Sequence, residues 1–346
     1  MREDLREYLR FNIKTDSMKN LCRSISEIGP YVSNMSITRP LSVARLMHYR
    51  NVNVRRGSYQ EFHIPKKSGG QRTITAPGGE LKDIMFALAF ILSDLYEPTP
   101  EAMAFITGRS IGTNANQHIG QNYVLNLDLK DFFTSITAVM VEKNLVKLGM
   151  SAIVAKEIAT ICTYPMIDNG CVQNVVPQGA PTSPVISNIC AMRLDNRLSG
   201  LARRFHLTYT RYADDITFSS NHNVYHKDGE FMQELHHIIE DCHFIVNPKK
   251  TRLQKRGIRQ AVTGITVNEK SNVSRKFIKN LRAAIHQIRY LEPPSMHDVN
   301  VVRGKLNFLR MIKGAEDSTY IRYIKNLNSA VRGKHFVKNT SFFLQV

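Results

Sequence analysis

The sequence holds little of what marks a secreted, zinc-knuckle or membrane-spanning chain. Its five cysteines, Cys22, Cys162, Cys171, Cys190 and Cys242, are odd in number and include no C-x-x-C pair. That argues against a disulfide framework and a zinc knuckle and leaves them as buried small hydrophobes. The longest uninterrupted apolar run, Ile84 to Leu92, has nine residues, short of the roughly 20 that a membrane-spanning helix needs. The first residues, Met1-Arg2-Glu3-Asp4, alternate in charge instead of leading a basic stretch into an apolar one. The expected location is therefore the cytoplasm, with no membrane partner. Internal repeats and low-complexity tracts are lacking too. What is present is length, 346 residues at 42% hydrophobic content, enough for a sizeable core divided among several subdomains.

Acidic residues are scarce in one place. The whole chain carries +18, but residues 247 to 346 hold 21 Lys/Arg against 5 Asp/Glu, a net +16 that leaves +2 for the first 246. A one-sided field of this size attracts a polyanion. Nucleic acid is the first candidate, an acidic membrane surface the second, and a solvated face kept for solubility the bland alternative.

Periodicity gives the organisation. Residues 3 to 29 predict one or two amphipathic helices around Leu5, Leu9, Leu21 and Ile25, closed by Gly29-Pro30. Tyr59 to Pro65 and Gln71 to Pro77 predict a hairpin with a basic tip, Lys66-Lys67-Ser68-Gly69-Gly70. A buried helix over Leu81 to Tyr96 follows, then a strand over Tyr123 to Leu129 with an acid at its end. Residues 139 to 162 are helical in pattern, and Asp168-Asn169-Gly170 is a turn. Pro177 to Pro184 reads as a loop ending in a helix N-cap at Ser183, with proline at the first helical position. Ile186, Ile189, Cys190, Leu194, Leu198 and Leu201 form the buried stripe of that helix. A second hairpin, Leu207 to Tyr212 and Ile216 to Ser219, turns through Ala213-Asp214-Asp215. From Ser274 on, three apolar stripes predict three helices, and Arg275, Lys276, Lys279, Arg282 and Arg289 ride outside the first. The expected class is α+β with an all-α basic appendage.

Consecutive strand residues point to opposite faces, so Asp214 and Asp215 approach one site only if the chain turns between the two strands. Two carboxylates at a partly desolvated hairpin tip repel and call for a cation, and oxygen-only ligands favour Mg²⁺ over zinc. Asp128 ends the other apolar strand and supplies a third carboxylate. Three carboxylates can hold a metal pair about 4 Å apart, one metal activating an attacking hydroxyl and one stabilising a leaving pyrophosphate. For a lone Asp-Asp pair, a polar surface turn is the competing reading.

The surroundings decide against the surface turn. Leu127-Asp128-Leu129-Lys130-Asp131-Phe132-Phe133, Pro177-Gln178-Gly179-Ala180-Pro181-Thr182-Ser183-Pro184 and Tyr212-Ala213-Asp214-Asp215 resemble motifs A, B and C of reverse transcriptases, in that order. The 86-residue separation of Asp128 from Asp214 accommodates the B loop and its helix. Asn247-Pro248-Lys249-Lys250-Thr251 is similar to motif D, and Arg72-Thr73-Ile74 with Pro77 to the fingers motif that meets the incoming nucleotide. Asn114-Ala115-Asn116-Gln117-His118 and Val262-Thr263-Gly264 resemble the N-A-x-x-H and V-T-G signatures of bacterial retron reverse transcriptases, and Val302 to Leu306 resembles their thumb helix.

The resemblance implies a right-hand polymerase with an antiparallel palm sheet, in which Asp128, Asp214 and Asp215 are catalytic and bind Mg²⁺. It implies an N-terminal helical extension over 1–45, fingers over 46–122 and 138–176, palm over 123–137 and 177–268, and a basic helical thumb over 269–346. Phe133 matches the steric gate that occupies the space of a ribose 2′-OH, with a plain core phenylalanine as the alternative. Gln178 and Gly179 would let the chain approach the nucleotide closely. Arg72, Lys66 and Lys67 would grip the triphosphate, and Lys249 or Lys250 would protonate the pyrophosphate. Asn114, His118, Val262, Thr263 and Gly264 would meet RNA, although His118 reads equally as a structural histidine and Val262 to Gly264 as plain sheet. Arg275, Lys276, Lys279 and Arg282 would hold a duplex by its phosphates.

The implied partners are a structured non-coding RNA, its branched RNA–DNA product, deoxynucleoside triphosphates and an effector protein of the same phage-defence system. Ribonuclease H, integrase and endonuclease domains are not expected. The alternatives are another bacterial lineage, group II intron-like or abortive-infection type, and a nucleic-acid-binding scaffold whose catalytic site has decayed.

Overall fold

A computed structural model describes residues 17–32, 40–66, 69–168, 170–290 and 295–332. The helices α1 (Met18–Val32), α2 (Val43–His48) and α3 (Val52–Gly57) lead into the hairpin β1 (Tyr59–Pro65) and β2 (Gln71–Pro77). Next come α4 (Gly79–Leu95), α5 (Ile111–Asn116), β3 (Tyr123–Asp128), α6 (Ala138–Lys147) and α7 (Ala152–Ile161). The hairpin β4 (Tyr164–Asp168) and β5 (Cys171–Val175) precedes α8 (Ser183–Arg204), then β6 (Thr208–Tyr212), β7 (Asp215–Ser220) and α9 (Glu230–Asp241). The chain continues through β8 (Arg252–Lys255), β9 (Ala261–Val262), β10 (Ile265–Thr266), α10 (Arg275–Tyr290), α11 (Met296–Lys313) and α12 (Ser318–Val331).

At the centre lies a four-stranded antiparallel sheet in the order β6-β7-β3-β8. Its middle strands carry Leu125, Leu127, Ile216 and Phe218, all at most 3% exposed. They join α4, α8 and α9 in one large core through Leu88, Ile91, Ile186, Leu194, Phe231 and Leu235. Fully burying a side chain of this kind stabilises a fold by roughly 1.5–3 kcal/mol, so the stripe of α8 is enough to press that helix against the sheet. A second core gathers Leu281, Ile285, Val302, Leu306, Leu309 and Leu327 of α10–α12 around Ala115, Val124 and Val262. The C-terminal helices are thus fastened to the segment before β3 and to the β9–β10 turn.

Several expectations need correction. Gly29-Pro30 does not close the first helix, which runs to Val32 with Pro30 inside it. Proline in a last turn forfeits one backbone bond, and Leu21, Ile25 and Ile28, packed in the main core, hold the helix regardless. Leu5, Leu9 and Lys67 lie outside the described residues. The helical stretch from 139 to 162 is two helices, because Gly149 at φ +92° ends α6 with its N–H on the Val146 carbonyl. The β4–β5 hairpin was not anticipated. Ser183 is not the N-cap: Thr182 precedes the helix, and the Ser183 hydroxyl donates to the Pro177 carbonyl at 2.6 Å, closing the loop on itself. Val262-Thr263-Gly264 is a tight turn between two-residue strands, Thr263 and Gly264 both at positive φ. Four cysteines are buried, but Cys171 is exposed on its hairpin. Among the described residues no helix is long and apolar enough to cross a membrane.

Candidate active site

Three aspartates meet where β3 ends and the β6–β7 hairpin turns. Asp128 is the last residue of β3 and pairs in register with Asp215, the first of β7, which pairs in turn with Tyr212. The hairpin loop is therefore only Ala213 and Asp214. Ala213 adopts φ +56°, a left-handed conformation a two-residue hairpin demands and an alanine adopts at a cost. The Asp214 carbonyl accepts the Leu129 N–H at 2.9 Å, tying the turn to the residue after Asp128.

A buried arginine holds this turn from beneath. Arg211 and Asp195 of α8 form an ion pair at 2.6 Å with both side chains fully buried. The guanidinium also donates to the Ala213 carbonyl at 3.1 Å and to Asn188 Oδ1 at 3.2 Å, and it lies 5.9 Å over the Phe132 ring. The Tyr209 hydroxyl donates to Asp195 at 2.8 Å. Burial acts to lower the Arg211 pKa, but the Asp195 charge and hydrogen bonds outweigh it and hold the pKa above its ordinary value. One side chain thus joins the strand-end turn after Asp128, the helix that follows Pro177 to Pro184, and the Asp214–Asp215 turn. Sequence reasoning gave Arg211 no role; an arginine inside an otherwise apolar and Thr/Tyr-rich strand was the signal.

The electrostatics are those of crowded acids. Partial desolvation first, then repulsion from Asp214 and Asp128, pushes Asp215 up to about 6. Desolvation and the Asp128 charge likewise raise Asp214, against the pull of its own backbone N–H, Lys250 and Arg72. Asp215 opens onto the cleft, so water and salt screen part of this repulsion. Asp128 is 5% exposed and receives the Lys250 ammonium on one carboxylate oxygen and Asn247 Nδ2 on the other at 3.2 Å. The hydrogen bond to Asp128 comes first among the causes that raise the Lys250 pKa. The all-oxygen donor set, two of its acids raised by burial and mutual repulsion and the third bearing an ammonium, fits a hard divalent cation. Among the described residues no three acid, histidine or cysteine side chains are gathered as tightly as a formed metal cluster.

Around the acids opens a cleft of about 490 Å³, lined by Asn126, Asp128, Tyr212, Asp215, Lys249, Lys250, Arg252, Thr263 and Gly264. Of the two motif D lysines, Lys250 touches Asp128 and Lys249 lines the wall. Arg72 is exposed on β2 and close enough to act on the Asp214 carboxyl; Lys66 is exposed at the hairpin tip. Phe132 is buried and Phe133 half-buried beside it, their rings 5.5 Å apart and edge to face. The Gln178 carbonyl accepts the Thr75 N–H at 2.8 Å, stitching the β1–β2 hairpin to the loop before α8. Gly179 has φ +134°, and a Cβ there would stand 2.8 Å from Ile74 and 3.1 Å from the Thr75 carbonyl. The close approach this glycine permits is to β2.

Three expected RNA contacts are corrected by burial. His118 is 0% exposed, with Nδ1 hydrogen-bonded to Ser219 and Nε2 to Thr210, each at 2.7 Å. Burial pushes its pKa down to about 3, so it is a neutral clamp across β6 and β7. Asn114 is 1% and Val262 0% exposed, leaving neither a surface for RNA. Thr263 and Gly264 do face the cleft, and Thr263 Oγ1 donates to the Ile111 carbonyl at 3.3 Å. Arg275, Lys276, Lys279 and Arg282 are exposed along α10.

Comparison with known proteins agrees with this geometry. The family model described as reverse transcriptase (RNA-dependent DNA polymerase) matches residues 64–291. The retron Mx65 reverse transcriptase of Myxococcus xanthus is 38% identical over 288 residues, covering 79% of this chain and 66% of that protein. The retron Mx162 reverse transcriptase of the same organism is 35% identical, covering 78% and 61%. The chain thus spans just under two thirds of the length of these two relatives. The retron Ec86 reverse transcriptase of Escherichia coli is 34% identical over 272 residues, covering 78% of this chain and 81% of that protein. Among solved structures, telomerase from Candida albicans with a fragment of telomeric RNA superposes at a TM-score of 0.44 and 12% identity, covering 81% of this chain and 61% of that one, a likeness too distant to carry weight.

Proposed function

The chain belongs to the reverse transcriptases of the retron type, and from that premise we propose that it is an RNA-directed DNA polymerase that copies part of a structured partner RNA into a branched RNA–DNA molecule. The supporting observation is the register that sets Asp128 opposite Asp215, with Asp214 at the turn, in a cleft walled by Lys249, Lys250 and Arg252. The fold is α+β with an antiparallel palm sheet. The fingers would take 46–122 and 138–176, the palm 123–137 and 177–268, and the basic thumb 269–346, after an extension over 1–45; residues 1–16, 33–39, 67–68, 169, 291–294 and 333–346 of these stretches lie outside the described residues.

Asp128, Asp214 and Asp215 would hold Mg²⁺, which when bound lowers the pKa of an attacking hydroxyl and neutralises charge on the leaving pyrophosphate. Arg72 and Lys66 on the fingers hairpin, with Lys67 beside them in sequence, bind the triphosphate of the incoming deoxynucleotide. Lys250 is kept protonated beside Asp128 and sits at the acids, so it is the lysine placed to donate to pyrophosphate; Lys249 on the cleft wall holds phosphate. Phe133 takes up the space of a ribose 2′-OH and offers it no hydrogen bond. Gln178 positions the nucleotide from a loop that Gly179 allows to lie flat on β2. Thr263 and Gly264 face the nucleic acid end in the cleft. Arg275, Lys276, Lys279 and Arg282 hold the duplex through its phosphates, without reading its sequence. An effector protein of a phage-defence system and a cytoplasmic site of action complete the reading.

Primer extension on an annealed RNA template with deoxynucleotides tests the activity. Magnesium-dependent, template-directed DNA is the expected product, and a folded protein that makes none refutes the reading.

A further inference from the structure

Phe105 occupies an unfavourable place without an obvious return. It has φ +61°, a conformation in which a bulky non-glycine residue is an outlier, and it leaves a large apolar side chain 50% exposed. The segment around it is firmly held. Ala102, Met103 and Ala104 are buried, the Met103 N–H donates to the Arg211 carbonyl at 2.7 Å, and Asn188 Nδ2 donates to the Ala104 carbonyl at 2.9 Å. Downstream, Arg109 Nη1 donates to the Thr99 carbonyl at 2.6 Å and also to that of Ala102. Such ties over-determine the backbone and keep Phe105 in its strained conformation. The ring they hold out lies against Phe133, centroids 6.4 Å apart and planes tilted by 47°.

Phe133 has reason to need a second support. It sits in the turn after β3, where Asp131 has φ +50°, and not on a strand or helix. Rings on turns are held less closely than rings on regular elements. Phe132 supports one side of the ring from the core. Rejecting a substrate for one added hydroxyl requires a ring fixed to within about 0.5 Å, so a half-buried ring with one open side discriminates poorly.

We propose that Phe105 is a specificity-determining positioning residue: it braces the Phe133 ring from the solvent side, so that the pair forms a fixed wall against the 2′ position of the incoming nucleotide's sugar. This rests on Phe133 being the gate and deepens that reading. Asn188 and Arg211 hold the bracing loop from α8 and β6, so the wall and the Asp214–Asp215 turn share one scaffold.

The test measures kcat/KM for a deoxynucleotide and for the matching ribonucleotide on the same primer–template, using the full chain, and takes their ratio. A structural defect lowers both and leaves the ratio alone. Phe105→Ala removes the ring; Phe105→Gly also relieves the backbone, so the loop's strain and the ring's contact are separated. Both variants should lower the ratio by on the order of fivefold, as expected for a misplaced wall and not an absent one. Phe133→Ala should lower it further, and adding Phe105→Ala to Phe133→Ala should change nothing more. An unchanged ratio in both Phe105 variants, with Phe133→Ala lowering it, overturns the bracing while the gate stands. A full additional loss in the double variant overturns it as well, because Phe105 would then act without Phe133. If Phe133→Ala leaves the ratio unchanged, the gate reading falls and takes this inference with it.

Discussion

At the scale of single residues, the acids carry the clearest consequences. Asp214→Asn and Asp215→Asn each remove a charge from the crowded cluster and almost no packing, so each should abolish primer extension while RNA binding persists and the melting temperature of the metal-free protein at neutral pH is kept or raised. More than a few per cent of wild-type extension in both variants would refute the metal assignment. Desolvation, and the crowding after it, also set a pH dependence. Asp215 is raised from 3.8 to about 6 in the fold, so between those values the folded chain binds more protons than the unfolded one, and stability falls as pH climbs through that window. Metal-free protein should therefore lose melting temperature between pH 4 and 6 in this respect, tempered by the exposure of Asp215, and magnesium should raise the melting temperature more at pH 8 than at pH 5. An equal magnesium shift at both values would mean that the acids do not hold the ion. The three aspartates were legible in the sequence because motif chemistry and strand ends coincide there. Arg211 was not, since no local pattern shows that the partner of a strand arginine lies on a helix 16 residues earlier.

Between elements, the question is what keeps the turn, the loop before α8 and the fingers hairpin in one arrangement. Removing one partner of a buried ion pair costs about 3–5 kcal/mol, while replacing both with apolar groups of similar volume is often neutral or stabilising. A purely structural Arg211–Asp195 pair would then be replaced without loss by Arg211→Met with Asp195→Leu. Because the guanidinium also holds the Ala213 carbonyl and Asn188, and Asp195 accepts the Tyr209 hydroxyl, the double variant leaves buried groups unpaired at about 1–3 kcal/mol each; it should melt below wild type and extend primers many-fold more slowly even where it is fully folded. Recovery of full extension would make the pair structural only. Gly179→Ala tests the other joint: positive φ and a Cβ 2.8 Å from Ile74 should cost about 1–3 kcal/mol in a thermal melt and separate the Pro-Gln-Gly loop from β2. Helices and hairpins with clean periodicity were read well from sequence, as β1–β2 and α10–α12 illustrate. What escaped was set by contacts distant in sequence. Ser183 left its capping place to bond Pro177, and Pro30 stayed inside a helix held by its core face.

For the whole molecule, charge and burial divide the work of choosing an RNA. The +16 of residues 247 to 346 would give an attachment to phosphates that weakens with salt and reads no sequence. Each of Lys279→Ala and Arg282→Ala should reduce the slope of log affinity against log salt by about 1 if it meets a phosphate, and an unchanged slope would place the duplex elsewhere. Selection of one RNA needs contacts with its loops or shape. The burial of Asn114, His118 and Val262 removes them from that role and makes them a joint: His118 spans β6 and β7, while Ala115 and Val262 share the core of α10–α12. Only Thr263 and Gly264 of these two signatures reach the cleft beside Asp128 and Asp215. The protein purified with its neighbouring non-coding RNA should therefore carry DNA joined to that RNA through a 2′-hydroxyl. Thr263→Ala and Gly264→Ala should lower this product more than extension of a generic annealed primer, whose end needs only the acids. His118→Ala should lower both alike, because it loosens the sheet on which Asp215 stands. Ribonuclease and debranching treatment read the linkage directly: DNA never joined to RNA would remove the branched product from the proposal, while the polymerase would survive on Asp128, Asp214 and Asp215.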